Sequence, residues 1–174
     1  MQLEGEIAPS EMRTDRYLSD AGQTRVGIKV RGATLSVEIK GLIDLIEDGL
    51  QIEPFSSDIQ LWAKWISVKI PTPFPAITVE KQRWSRTYAI DDTTTIKLDG
   101  SNRTKNGCRT ELAKLIVNNE TWWTFGLEAF GDRKSLERYL VSTANTLAKQ
   151  NPPIFPTPAL SYPEWLTLID RTKN

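Results

Sequence analysis

Charged residues in this sequence recur in pairs separated by one residue, the spacing that places both side chains on one face of a β-strand. The pairs are Glu4 and Glu6, Lys29 and Arg31, Glu38 and Lys40, and Lys81 and Arg83, while Glu111 and Glu128 occur singly in later segments. Carboxylates so arranged can hold a hard divalent cation, and lysine and arginine can neutralise a highly charged anion. The pattern favours a site for a polyanion, with or without a metal ion.

A simpler interpretation of the same pattern is the solvated side of an antiparallel sheet, which normally alternates apolar and polar residues. The apolar residues between the charged pairs would then face the core; they include Val26, Ile28, Val30, Val37 and Ile39. Segregation of the charged pairs by sign along the chain favours a binding face instead, because random solvation does not require it. Both interpretations stay open at this point.

The composition restricts the chemistry further. The chain has no histidine, which removes the usual general base and the commonest ligand of transition metals. Zinc hydrolysis and serine or cysteine triads are therefore not expected, and any metal would be a hard cation such as Mg²⁺ or Mn²⁺. A net charge of zero argues against nucleic acid as a partner.

Six segments rich in β-branched and aromatic residues alternate with period two and predict strands. They are residues 25–31, 35–40, 59–70, 77–90, 108–117 and 121–130. Turns are expected at residues 32–34, at the proline cluster 71–75, at residues 99–102, and at Asn118, Asn119 and Glu120, the last as a hairpin.

Apolar residues recur at helical spacing after Asp132, which is suited to begin a helix, and Asn151 with the two following prolines ends the pattern. Ser161 is suited to cap a short terminal helix that carries Trp165, Leu166 and Ile169. Residues 9–16 and 41–49 give two weaker helical patterns. Many strands and few long connections predict an α+β fold, mainly antiparallel β, as a barrel or sandwich with helices attached.

We expect a single domain over residues 1–174, in which residues 151–174 form a proline-rich C-terminal extension ending in a short helix. The lone Cys108 and the lack of a signal-like N-terminal segment favour the cytoplasm. Insertion in a membrane is not expected, because no apolar run approaches the roughly 20 residues that span a bilayer.

Three motifs in the first half of the chain are residues 13–18 (RTDRYL), 26–31 (VGIKVR) and 36–41 (SVEIKG), and later motifs are residues 79–83 (VEKQR) and 122–131 (WWTFGLEAFG). Their order resembles that of the CYTH superfamily, the triphosphate tunnel metalloenzymes. The resemblance implies a CYTH-like tunnel of eight antiparallel strands with flanking helices, in which bases bind a triphosphate and carboxylates bind Mg²⁺ or Mn²⁺.

The resemblance also implies a role for each matching residue. The phosphate-binding bases would be Lys29, Arg31, Lys40, Lys81 and Arg83, and the metal ligands would be Glu4, Glu6 and Glu128. Glu111, which could orient the attacking water, and Lys40 would be the catalytic residues. The chain departs from the pattern at Ala8, where the opening strand of the family has a lysine.

Three functions therefore remain as expectations. The chain binds and hydrolyses a triphosphate or other polyphosphorylated anion with a divalent metal, or it keeps the anion site without catalysis. In the third, it is a scaffold whose exposed tryptophans, among Trp62, Trp65 and Trp165, contact another protein. Core and rim packing is the simpler role for those tryptophans.

Overall fold

The computed structural model describes residues 11–18, 23–31, 36–67, 76–91, 95–98, 103–150 and 159–171. Within them lie eight strands and two α-helices. The strands are β1 (Glu11–Leu18), β2 (Val26–Arg31), β3 (Ser36–Ile52), β4 (Phe55–Ser67), β5 (Ala76–Ile90), β6 (Thr95–Lys97), β7 (Gly107–Val117) and β8 (Glu120–Phe130). The helices are α1 (Leu136–Ala148) and α2 (Tyr162–Arg171).

All eight strands belong to one antiparallel sheet, so the expected mainly antiparallel α+β fold is confirmed. The strand order is β4, β3, β2, β1, β5, β7 and β8, with β6 paired to β5. The sheet curls into a half-barrel. Phe55 on β4 stacks on Phe125 of β8, with ring centroids 5.8 Å apart, although the two strands lie at opposite ends of the order.

The two weaker helical predictions are wrong. Residues 11–18 form β1, because Glu11, Arg13, Asp15 and Tyr17 alternate with period two and pair on both sides, with β2 and with β5. The helix predicted over residues 41–49 is instead the middle of β3, where two irregularities shift the register with β4. Such bulges disturb the strand period and left a spacing that resembled a helix.

The strands predicted at β2, β5, β7 and β8 are confirmed to within one residue at each end. β3 continues to Ile52, well beyond its predicted end at residue 40, and β4 begins at Phe55 and is described only to Ser67. The expected turns at residues 32–34, 71–75 and 99–102 lie outside the described residues. The hairpin after β7 is present, and Asn118 and Asn119 both have positive φ angles, of 51° and 64°. Two such residues in succession are characteristic of a type I′ turn, which matches the twist of the flanking strands.

Replacing Asn119 with alanine is expected to lower the free energy of unfolding by about 1 kcal/mol, because a Cβ-bearing residue without a short polar side chain is strained at positive φ. Asn119→Gly is the matched control and should be neutral or stabilising, since glycine adopts this conformation freely. Urea denaturation measures both. Equal losses in the two variants would show that the turn conformation is not what matters at this position.

The two helices pack on different faces of the sheet. α1 begins after a 3₁₀ turn, Arg133–Ser135, that Asp132 precedes, and it buries Tyr139, Thr143 and Ala144. It packs beside Cys108 and Leu127 on one face. As predicted, Ser161 begins α2: its hydroxyl accepts a hydrogen bond from the Glu164 backbone N–H, and the Glu164 carboxylate accepts one from the Ser161 N–H.

α2 covers part of the opposite face. Its buried side chains Trp165, Leu166 and Ile169 pack on residues of β1, β5 and β7, among them Tyr17 and Leu115. Trp165 is 7% exposed, so it is a core residue and does not offer a docking surface. In the part of the chain that the structure describes, no helix is long and apolar enough to cross a membrane.

Candidate functional site

Ten ionisable side chains from six neighbouring strands meet on the side of the sheet that α2 partly covers. They are Glu11, Arg13 and Asp15 on β1, Lys29 and Arg31 on β2, Glu38 on β3, Lys64 on β4, Lys81 and Arg83 on β5, and Glu111 on β7. We call this surface the charged face. The strand registers explain its assembly, since Glu11 lies opposite Arg83, Arg13 opposite Lys81, and Lys29 opposite Glu38.

Glu38 is the centre of one half of the charged face. Its two oxygens contact three bases: Lys29 at 3.1 Å, Arg31 at 3.2 Å and Lys64 at 2.8 Å. Burial alone would raise the pKa of this carboxyl, but the hydrogen bond from Lys64 and the charge of Lys29 lower it to about 2. Glu38 is therefore fully ionised at neutral pH.

The other half is built around Arg83. Its guanidinium contacts Glu11 at 2.7 Å and Glu111 at 3.2 Å, and Glu111 also binds Lys81. The pKa values of both glutamates lie below the ordinary range: burial acts against ionisation, but Arg13 next to Glu11 and Lys81 next to Glu111 outweigh it. Each of these two carboxylates thus contacts two bases: Glu11 contacts Arg13 on its own strand and Arg83 on β5, and Glu111 contacts Lys81 and Arg83, both on β5.

Arg13 joins the two halves, since its Nη1 donates to Glu11 at 2.7 Å and its Nε donates to Asp15 at 3.0 Å. Asp15 is 1% exposed, and its other oxygen, Oδ1, is buried without a hydrogen-bond partner among the described residues. Lys29 lies 3.8 Å from the paired oxygen of Asp15. Burial lowers the pKa of Lys29, and the neighbouring Glu38 and Asp15 offset only part of that effect.

Helix α2 limits the charged face at one end. Lys81 donates a hydrogen bond of 3.0 Å to the Tyr162 hydroxyl, and its ammonium lies 5.1 Å from the centre of that ring. Tyr162 stacks on Tyr17 at 5.5 Å. Gly27 permits the approach of α2, because a Cβ there would lie 3.3 Å from Cγ of Pro163.

The structure brings together six of the charged residues that the sequence singled out. Lys29 and Arg31 share Glu38, and Lys81 and Arg83 share Glu111. Lys40 lies on the same face, directly opposite Lys64, and no carboxylate in the described part of the chain is within ion-pair distance of it. The roles assigned to these residues stay predictions.

The proposed metal ligands are less well placed. Glu4 and Glu6 lie outside the described residues, and Glu128 is an exposed residue of β8 opposite Arg109. Among residues 11–171 that the structure describes, no three or more acids or cysteines are grouped as metal ligands, and the carboxylates of the charged face already contact bases. Within the described residues, this donor set does not fit Mg²⁺ or Mn²⁺.

Several members of the charged face were missed by the sequence-based prediction. Glu11, Arg13 and Asp15 were assigned to a helix, and Lys64 and Tyr162 were not considered as part of a site. The alternation of Glu11, Arg13, Asp15 and Tyr17 was the signal that could have identified β1.

Comparison with protein-family models, curated proteins and solved structures found no match.

Proposed function

We propose that the charged face binds a small polyphosphorylated anion such as inorganic triphosphate. The observation that carries the proposal is the charge of the described network, in which six bases face four acids, leaving an excess of two positive charges on one partly buried surface. Lys40, opposite Lys64, adds to that excess. Like charges on directly opposed residues are unfavourable, and an anion between them relieves the repulsion.

The spacing of the bases favours an extended anion over a single phosphate. Lys29 and Arg31 lie on β2, Lys81 and Arg83 lie on β5, and β1 separates the two strands. Neighbouring strands are roughly 4.8 Å apart, so an anion that contacts both pairs of bases must extend over about 10 Å. A chain of phosphates meets this requirement and carries enough charge to compete with the resident carboxylates.

Glu11 and Glu111 occupy the positions at which phosphate oxygens would bind. Each accepts hydrogen bonds or ion pairs from two bases, and their side chains are 33% and 26% exposed, compared with 5% for Lys81. Without the anion they keep the buried bases paired, because an unpaired buried charge is costly. Binding then requires only that these more exposed carboxylates rotate away from the bases.

Calorimetric titration with tripolyphosphate tests the proposal. We expect saturable binding by the unmodified protein. The affinity of Arg31→Gln and of Lys64→Gln should be lower by about tenfold or more, because each variant removes a charge-assisted contact. Both side chains are more than a third exposed, so the fold should tolerate the change. Lys97→Gln, an exposed base on β6, is the control and should leave the affinity unchanged.

Equal weakening in all three variants would show that attraction is non-specific, and absence of binding by the unmodified protein would contradict the proposal. The titration is run with a chelator and again with Mg²⁺ or Mn²⁺. Release of inorganic phosphate that needs the metal would add hydrolysis to binding. Binding without phosphate release would identify a non-catalytic anion receptor.

A further inference from the structure

The strand β4 forms one edge of the sheet. In the part of the chain that the structure describes, β3 is its one neighbouring strand. The outward N–H and C=O groups of such a strand are a template for pairing with another chain. β4 is 13 residues long, and no bulge interrupts it, because the extra residues of both irregularities lie on β3.

Apolar side chains are exposed beside this edge. Of the eleven large hydrophobic residues that are exposed in the described part of the chain, five lie on β3 and β4. They are Ile43, Leu45, Ile46, Trp65 and Ile66. Concentration of exposed apolar surface in one hairpin is typical of an interaction site.

The charges on β4 define which partner and which register fit. β4 carries two charged residues, Asp58 and Lys64, both exposed and both on the charged-face side of the strand. When two copies of β4 pair antiparallel about a two-fold axis at Leu61, Asp58 of each copy lies opposite Lys64 of the other. Axes at Asp58 or at Lys64 would oppose like charges, and the remaining registers leave the charges unmatched.

The same register gives compatible neutral pairs. Leu61 meets Leu61 of the other copy, Ile59 meets Ala63, and Trp62 meets Gln60. The Lys64 side chain contacts Glu38 and is still 45% exposed. Asp58 accepts a hydrogen bond from the Asp48 N–H with one carboxylate oxygen, Oδ1. The other edge strand, β8, has Glu120 and Glu128 as its charged residues and cannot form opposite-charge pairs with itself.

We propose that this chain forms a two-fold symmetric dimer in which β4 pairs antiparallel with β4 of a second copy, with Leu61 at the axis. Two half-barrels then share a continuous sheet. Because directly opposed residues lie on the same side of a sheet, the charged faces of both copies lie on one side of the dimer. Lys64 belongs to both proposals, but the dimer does not require a bound anion, because it rests on the edge of the sheet and on the pairing of Asp58 with Lys64.

Site-directed disulfide formation tests the register. In the dimer, Leu61→Cys places two cysteines at directly opposed positions. The Cα atoms of such positions are roughly 4.5 to 5.5 Å apart, which lies within the roughly 4.4 to 6.8 Å that a disulfide usually needs. We expect most of this variant to become a covalent dimer under mild oxidation. The control is Ser57→Cys, whose two copies would be separated by about 27 Å along the strands. Cys108 is fully buried and contributes no background.

Sedimentation of the full chain over a concentration series tests the charge pairing. The unmodified protein is expected to dimerise reversibly, and Asp58→Lys should weaken the dimer roughly tenfold or more, because both symmetry-related pairs become like-charged. Asp44→Lys makes the same charge change on β3, away from the edge, and should leave the dimer intact. A monomer at all concentrations, or equal cross-linking of the Leu61→Cys and Ser57→Cys variants, would overturn the proposal.

Discussion

Replacing Glu38 with glutamine is expected to lower the free energy of unfolding by about 3–5 kcal/mol. The carboxylate is 6% exposed and contacts Lys29, Arg31 and Lys64, so its neutralisation leaves three neighbouring bases without their shared counter-charge. Urea denaturation at neutral pH measures the loss. Glu128→Gln, which removes an exposed acid of β8, is the control and should change the stability by no more than about 0.5 kcal/mol.

The same variant should bind tripolyphosphate more tightly, because the anion no longer competes with a carboxylate for these bases. Added tripolyphosphate should therefore raise the stability of Glu38→Gln by more than it raises that of the unmodified protein. A small loss of stability would show that the three bases do not depend on Glu38. No extra stabilisation by the anion would show that the charged face is not the anion site.

The pH dependence follows from the lowered pKa of Glu38. A carboxyl with a lower pKa in the folded protein than in the unfolded chain contributes stability above its unfolded pKa, and that contribution is lost as the pH falls through the folded value. For Glu38 the loss occurs as the pH falls from about 4.5 to about 2. Glu38→Gln lacks this component, so its stability should fall less steeply than that of the unmodified protein over this range.

The second large effect is expected at Trp165, a buried residue of α2 in the core cluster with β1, β5 and β7. Trp165→Ala should lower the free energy of unfolding by about 3–5 kcal/mol, because the side chain is buried among Trp122, Tyr162 and the residues of β1, β5 and β7. Leu168→Ala is the matched control in the same helix. Leu168 is 43% exposed, and its removal should cost no more than about 0.5 kcal/mol.

This comparison distinguishes an integral α2 from a detachable extension. If α2 is part of the core, the Trp165→Ala variant should also lose the hydrogen bond between Lys81 and Tyr162, and its affinity for tripolyphosphate should change. Equal stability of the two variants would mean that α2 contributes little to the folded domain. In that case the end of the charged face beside Tyr17 would be open.

Most strands could be predicted from the sequence because each satisfies its own local pattern. Residues two apart on a strand share a face whatever the rest of the fold is. This rule correctly placed Lys29 with Arg31, and Lys81 with Arg83, on one face. The strand β1 was misassigned because a short segment with few apolar residues fits a helix as well as a strand. Pairing with β2 and β5 decides its conformation, and no local pattern records that pairing.

The network within the charged face could not be predicted for a different reason. Which carboxylate contacts which base depends on strand order and register, which bring Glu111 of β7 to Arg83 of β5, 28 positions earlier in the chain. The sequence indicated Glu38 only as half of a mixed pair, yet its position between β2 and β4 makes it the shared partner of three bases. Such a role arises from the neighbours that the fold supplies.

Nuclear magnetic resonance can show whether a polyphosphorylated anion binds on the charged face. Tripolyphosphate is added to isotopically labelled protein, and the signals of backbone amides and of lysine and arginine side chains are followed. We expect saturable changes at Arg31, Lys64, Lys81 and Arg83, with little change around α1 on the other face. Changes centred on the α1 face, or no saturable change at all, would contradict the anion proposal.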